Sequence, residues 1–156
     1  MKKYDVSFGI ALQLVNIIKD VREDSLRKVC FIPEEICRKY GFNHSYDMFS
    51  TDASEENRAR VMLELVDSAW KHLHDAVQYV LLIPRVNVRI RLFCLWPLFM
   101  AAENLVVIGD AKTLFNAEKK RKITRNTVQK IIRSTLFHFY SNKWILSHFE
   151  SIRARA

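Results

Sequence analysis

The chain has 156 residues, of which 49% are hydrophobic and 27% charged, enough for one domain with a real core and too apolar for a disordered chain. Its net charge of +8 admits nucleic acid, an anionic membrane surface or a diphosphate substrate as partner without choosing among them. Three cysteines, Cys30, Cys37 and Cys94, without CxxC spacing argue against a disulfide framework or a zinc site, and for reduced thiols in a cytosolic protein.

Three glycines and three prolines are few, which points to long helices and short connections. No alternating apolar–polar run is long enough for a strand, so the expected class is all-α. Residues 1–7 are a short polar start without signal-peptide character. Residues 8–24, FGIALQLVNIIKDVRED, then form a helix that is apolar between 8 and 18 except for Gln13 and Asn16. At about 3.6 residues per turn, Gly9, Gln13, Asn16, Asp20 and Asp24 share one narrow arc, which Arg27 continues. Ala11, Val15 and Ile18 lie behind it. A helix apolar nearly all round is normally buried, and unpaired polar groups there cost about 1–3 kcal/mol each. Two carboxylates one turn apart also repel, and a divalent cation is the simplest compensation. A DxxxD pair alone is common on solvated helices. Gln13 and Asn16, standing where a solvated face would carry Lys and Glu, shift the reading toward a site lining an interior cavity.

Residues 25–32 read as a loop or frayed helix end. Pro33 suits the first turn of a short helix, PEEICRKY, with acids first and bases last, and Gly41 stops it. Residues 42–52 are irregular or a short helical turn. Ser54 opens a long amphipathic helix over 54–82, with Met62, Val66, Ala69, Leu73, Val77 and Val80 on its apolar face, and Pro84 ends it. Residues 86–108 form the most apolar helix, kinked by Pro97 and closed by Gly109. Its longest uninterrupted apolar run, 92–102, is well short of a membrane span and reads as a buried core helix. Phe93, Trp96 and Met100 share a face that suits either plain core or a ligand wall. Residues 110–118 suggest a short helix. The basic stretch EKKRKITR at 118–125 lacks a nucleic-acid recognition motif and reads as a solvated helix entry. Thr124 is a candidate N-cap for a final helix over 125–150. None of the five histidines forms a ligand motif, and there is no GxGxxG, Walker loop or GxSxG.

The run ALQLVNIIKDVRED, followed by FIPEE at 31–35, resembles the second aspartate-rich motif of the squalene/phytoene synthase family, approximately LQxxNIxRDxxED with an aromatic-x-Pro beyond a short loop. Gln13, Asn16, Ile17, Asp20, Glu23, Asp24, Phe31 and Pro33 stand at the family spacing. Lys19 replaces the usual Arg. Val29 stands where an Arg usually sits in the loop, with Arg27 and Lys28 beside it as substitutes. Arg91, Phe93, Cys94, Pro97, Met100 and Ala101 resemble the family pattern RxFCxxPxxMA, and the FCLWP region is closer to squalene synthases than to phytoene synthases.

The resemblance implies the C-terminal half of an isoprenoid-synthase-type helical bundle, with residues 1–156 as a single partial domain. It implies head-to-head coupling of two farnesyl or geranylgeranyl diphosphates through a cyclopropyl intermediate. Asp20 and Asp24 are then the catalytic pair. Asn16, Asp20 and Asp24 hold Mg²⁺, while Gln13, Asn16, Lys19, Arg27, Lys28, Phe93 and Trp96 contact substrate. NADPH would make the product squalene; without it, a dehydrosqualene or phytoene-type product results. Only one DxxxD pair occurs, whereas the family uses two facing clusters. The isolated chain is therefore expected to be inactive alone, as a fragment, a truncated product or half of a site completed by an N-terminal half or by self-association. The expected location is cytoplasmic with peripheral membrane contact. Two alternatives stay open: a non-catalytic relative acting as an assembly protein, against which Asp20 and Asp24 speak, and a basic helical binder of nucleic acid or membrane, which net charge alone supports.

Overall fold

The computed structural model describes residues 2–109 and 121–156. Among these residues the elements are helical and no strand occurs, as composition implies. They are α1 (Lys2–Leu26), α2 (Glu34–Lys39), a 3-10 helix (Ser45–Phe49), α3 (Glu55–Leu82), α4 (Val88–Ile108), α5 (Arg125–His138) and α6 (Asn142–Arg153). The short helix expected at 110–118, and the start of the basic stretch, lie outside the described residues.

α1 and α3 run antiparallel. The Ser7 hydroxyl, near the start of α1, donates to Asp75 (3.1 Å), near the end of α3, and the Phe8 and Tyr79 rings lie 6.0 Å apart. Ala11, Val15, Ile18 and Val21, spaced at three or four residues, are the buried edge of α1. α4 returns from α3 through the tight turn around Pro84 and so runs parallel to α1. It packs against α1, α3, α5 and α6. It is long and apolar enough to cross a membrane, but Leu95, Leu98, Phe99, Ala102 and Leu105 occupy the protein core, as expected for a core helix.

Local chemistry sets the boundaries. The Ser54 hydroxyl accepts the Asn57 amide and caps α3, and the Thr124 hydroxyl accepts the Thr127 amide and caps α5. Gly41 (φ 87°) ends α2 and Gly109 (φ 59°) ends α4, both in the left-handed region that glycine tolerates. Lys39 and Tyr40 both donate to Glu64 (2.6 and 2.7 Å), tying α2 to α3.

The single helix expected over 125–150 is two helices. α5 stops at His138, and the Ser141 hydroxyl accepts the Trp144 amide to start α6. The cause is distant in sequence. Arg91 is fully buried, and its guanidinium donates to the carbonyls of Phe139 (2.9 Å), Ile83 (2.5 Å) and Val80 (3.2 Å) and to the Asn142 side-chain oxygen (2.7 Å). The Asn142 amide in turn donates to the Leu81 carbonyl (3.3 Å). Arg91, with Asn142 beside it, thus pins the α5–α6 turn onto the α3–α4 turn. Beyond that turn, Trp144 is stacked between His138 and His148, at centroid distances of 4.5 and 4.6 Å.

Candidate functional site

The polar stripe of α1 stands on the face opposite its buried edge. Gly9, Gln13 and Asn16 are exposed, and Asp20 and Asp24 follow on the same face, half-buried. The stripe borders solvent here, and Val6 and Ile10 beside it are exposed too. The burial expected for a helix apolar nearly all round holds for one side of α1 only. Oxygen donors nonetheless converge along this face. The Lys19 ammonium lies 3.0 Å from the Asn16 side-chain oxygen and 3.5 Å from an Asp20 carboxylate oxygen. A cation therefore already sits between two of the three proposed metal donors, with the Asp20 side chain 28% exposed.

The end of α1 is a tight left-handed stop. Arg27 N–H bonds the Glu23 carbonyl, Lys28 N–H that of Ser25, and Val29 N–H that of Asp24 (3.2, 3.0 and 2.9 Å). Lys28 takes φ 58°, a conformation that costs a residue with a Cβ about 1–2 kcal/mol. The turn sets the exposed bases Arg27 and Lys28 directly after the helical turn that carries Asp20 and Asp24, and not along an extended loop. Lys19, Arg27 and Lys28 thus give the acidic end of α1 a cationic rim suited to a polyanion that arrives with its own divalent cation.

The aromatic candidates lie elsewhere. Because α4 runs parallel to α1, Phe93 in its second turn is toward the end where α1 begins. Asp20 is twelve residues beyond Phe8, roughly 18 Å along the axis at about 1.5 Å per residue. Phe93 is 74% exposed. Trp96 is half-buried, and its indole N–H donates to the Thr135 hydroxyl on α5 (2.9 Å), so the two rings serve different neighbours. The structure therefore groups Asn16, Lys19, Asp20, Asp24, Arg27 and Lys28, continues that group through Gln13, and sets Phe93 and Trp96 apart toward the other end. Arg91 stood in the sequence only as a motif match; as the last of three arginines (Arg85, Arg89 and Arg91) before a long apolar run, it carried no signal that it alone would be buried.

The donor set is all oxygen: two carboxylates one turn apart and one amide carbonyl. No cluster of three or more His, Cys, Asp or Glu suited to a metal occurs among the described residues. The all-oxygen donor set is of the kind Mg²⁺ takes when it is held by one or two carboxylates together with substrate phosphates and water. It does not fit a closed structural metal cage.

The family pattern described as squalene/phytoene synthase matches residues 1–127, covering α1 through α4 and the first turn of α5. The chain is 34% identical over 120 residues to squalene synthase ERG9 of Candida albicans, covering 76% of this chain and 26% of that protein. It is also 34% identical over 129 residues to squalene synthase of Cyberlindnera jadinii, covering 82% of this chain and 28% of that protein. The chain thus spans about a quarter of the length of these relatives. On the match of its pattern across most of its length, the chain belongs to the squalene/phytoene synthase family.

Proposed function

We propose that this chain carries the second metal-and-diphosphate motif of a prenyltransferase that condenses two prenyl diphosphates head to head. The observation that supports this most is the grouping of Asn16, Asp20 and Asp24 on one exposed face of α1, rimmed by Lys19, Arg27 and Lys28. Asp20 and Asp24 would hold Mg²⁺, with Asn16 as a neutral oxygen ligand. Bound there with the substrate, the metal supplies positive charge that stabilises the departing diphosphate.

The chain's own residues do the rest. Lys19 releases Asn16 and Asp20 and turns its ammonium to the incoming diphosphate, which offers more negative charge than one carboxylate. Arg27 and Lys28 take further phosphate oxygens. Gln13 extends the polar lining toward the allylic carbon. The exposed Phe93 ring, at the far end, offers an aromatic face to a hydrocarbon tail or a developing carbocation, and Trp96 braces α4 on α5. The prenyl tail then lies along the α1 face from the acidic end toward Phe93. Farnesyl or geranylgeranyl diphosphate is the substrate class, and kinship to squalene synthases favours a reductive, NADPH-dependent outcome.

The chain has a single aspartate pair of this kind, so we infer that turnover needs a second acidic cluster supplied from outside these residues. Incubation of labelled farnesyl diphosphate and Mg²⁺ with the chain, alone and with a polypeptide carrying the facing aspartate cluster, tests both points. Coupling only in the mixture, abolished by Asp20→Asn or Asp24→Asn, is the expected result. Diphosphate binding indifferent to both substitutions would refute the metal role and favour a non-catalytic relative.

A further inference from the structure

The outer face of α3 carries a charge pattern that neither the fold nor the prenyl-transfer reading uses. Ser7 and Phe8 of α1 meet α3 at Asp75 and Tyr79, which fixes the side of α3 that faces α1. Leu63 lies nearly half a turn around the helix from Tyr79 and so on the opposite side. Glu56, Arg60, Leu63, Asp67 and Lys71 follow one another there at steps of four, three, four and four residues, and each is exposed. Among the described residues of α3, Leu63 (45% exposed) and Leu82, its last, are the large apolar side chains open to solvent. Hollows open on both sides of Leu63. One, of about 450 Å³, is bounded by Glu55, Glu56, Ala59 and Arg60, and the other, of about 700 Å³, has Val66 and Trp70 in its lining. Arg60 pairs with Glu56 (2.6 Å) one turn before it, and Asp67 and Lys71 stand one turn apart beyond Leu63.

We propose that this stripe is the contact between two copies of the chain, related by a two-fold axis that sets their α3 helices antiparallel. Read forwards, the stripe runs acid, base, leucine, acid, base; read backwards, it is its own complement. Arg60 and Asp67 lie equally far from the midpoint between Leu63 and Glu64, and so do Glu56 and Lys71. An axis through that midpoint places Arg60 of each copy opposite Asp67 of the other, and Glu56 opposite Lys71. Leu63 of each copy then enters the hole between Arg60, Leu63, Glu64 and Asp67 of the other, the i, i+3, i+4, i+7 geometry of packed helices. Glu64, beside the axis, is already matched by Lys39 (2.6 Å) and brings no bare like charge there. A nucleic acid or an anionic surface selects one sign of charge, whereas this stripe offers both in equal number. The contact lies on the side of α3 away from α1. It therefore leaves Asp20 and Asp24 uncovered and does not supply the facing acidic cluster. The proposal does not rest on the prenyl-diphosphate reading, and the two fail separately.

Sedimentation velocity of the full chain over about 5–500 μM, at near-physiological salt, tests it. A contact of one helix per copy is small, so the expected dissociation constant is on the order of 10–100 μM. Arg60→Glu and Asp67→Arg each set like charges against each other twice and should weaken the dimer by about tenfold or more. The chain carrying both substitutions has its charges exchanged and should dimerise within about threefold of the parent. An equimolar mixture of the two single variants should form a heterodimer, while each alone stays largely monomeric. Leu63→Ser, which keeps every charge, should weaken the dimer by about tenfold. Circular dichroism reports whether each variant stays folded. A folded double variant that does not recover, or single variants that do not pair when mixed, would overturn the proposal. So would a parent chain still monomeric at about 500 μM, which leaves this face to a different partner. A dimer indifferent to all three positions would also overturn it and move the contact to the exposed apolar side chains of α1 and α4.

Discussion

Replacing Arg91 by Ala removes most of the side-chain hydrogen bonding that holds the α3–α4 and α5–α6 turns together and leaves the longer Asn142–Leu81 bond (3.3 Å). Its guanidinium makes four hydrogen bonds, two of them to the buried carbonyls of Val80 and Ile83. Burial and the neighbouring Arg85 push its pKa below the ordinary arginine value, yet an arginine stays charged in a protein. Hydrogen bonds to charged groups contribute about 1.5–3 kcal/mol each, so a plain sum over four would exceed 6. The desolvation of the guanidinium offsets part of that. What Arg91→Ala leaves behind is unpaired buried carbonyls and an empty volume, a loss of about 3–5 kcal/mol. In urea, at a slope near 2 kcal/mol per molar, the midpoint should fall by about 1.5–2.5 M. Arg91→Lys keeps the charge but cannot span four acceptors, and should lose about 1.5–3 kcal/mol. Hydrogen exchange should show early loss of protection in residues 139–142, ahead of α3. An Arg91→Ala chain within about 1 kcal/mol of the parent, with residues 139–142 still protected, would refute the reasoning.

Other outcomes follow from single residues. Lys28→Gly removes the Cβ from a left-handed position and should raise stability by about 0.5–1 kcal/mol; a loss in thermal unfolding would contradict the strain. Burial pushes the Cys37 thiol from 9.0 up to about 12. The native state therefore keeps a proton that the unfolded chain gives up, and the stability this group contributes, full below pH 9, declines as pH climbs toward 12. A disulfide reagent at pH 8 should modify the half-buried Cys30 well before Cys37 and Cys94, as mass mapping would show. His148 is held below its ordinary pKa by burial, with Glu103 opposing and Arg155 and His138 adding to the effect. Its contribution is present above pH 6.5 and is lost as pH falls, because the unfolded chain protonates first. His148→Gln should flatten that acid limb of the unfolding profile, and Trp144 emission should follow the same transition.

Much of the fold could be read from local chemistry. Ser54, Pro84, Gly41 and Gly109 act on their own neighbours, so α2, α3 and α4 have legible ends. The break between α5 and α6 was not legible, because its cause, Arg91, lies 48 residues away from Phe139. The two-sided character of α1 was equally hidden. Val6 and Ile10 are as apolar as Ala11 and Val15, and only packing against α3 and α4 decides which pair is covered. The acidic end of the candidate site could be read because i, i+4 spacing on one helix fixes a shared face without any tertiary information. The aromatic end could not. Phe93 and Trp96 stand three residues apart, yet Thr135 on α5 takes one and solvent the other.

The most direct test of the central claim is a titration of the isotope-labelled chain with inorganic pyrophosphate, with and without Mg²⁺, followed amide by amide in nuclear magnetic resonance spectra. The account predicts Mg²⁺-dependent shifts concentrated at residues 16–28 that vanish when Asp20 and Asp24 are both changed to Asn. Shifts that ignore Mg²⁺, fall mainly outside residues 16–28, or persist in the double variant would contradict it.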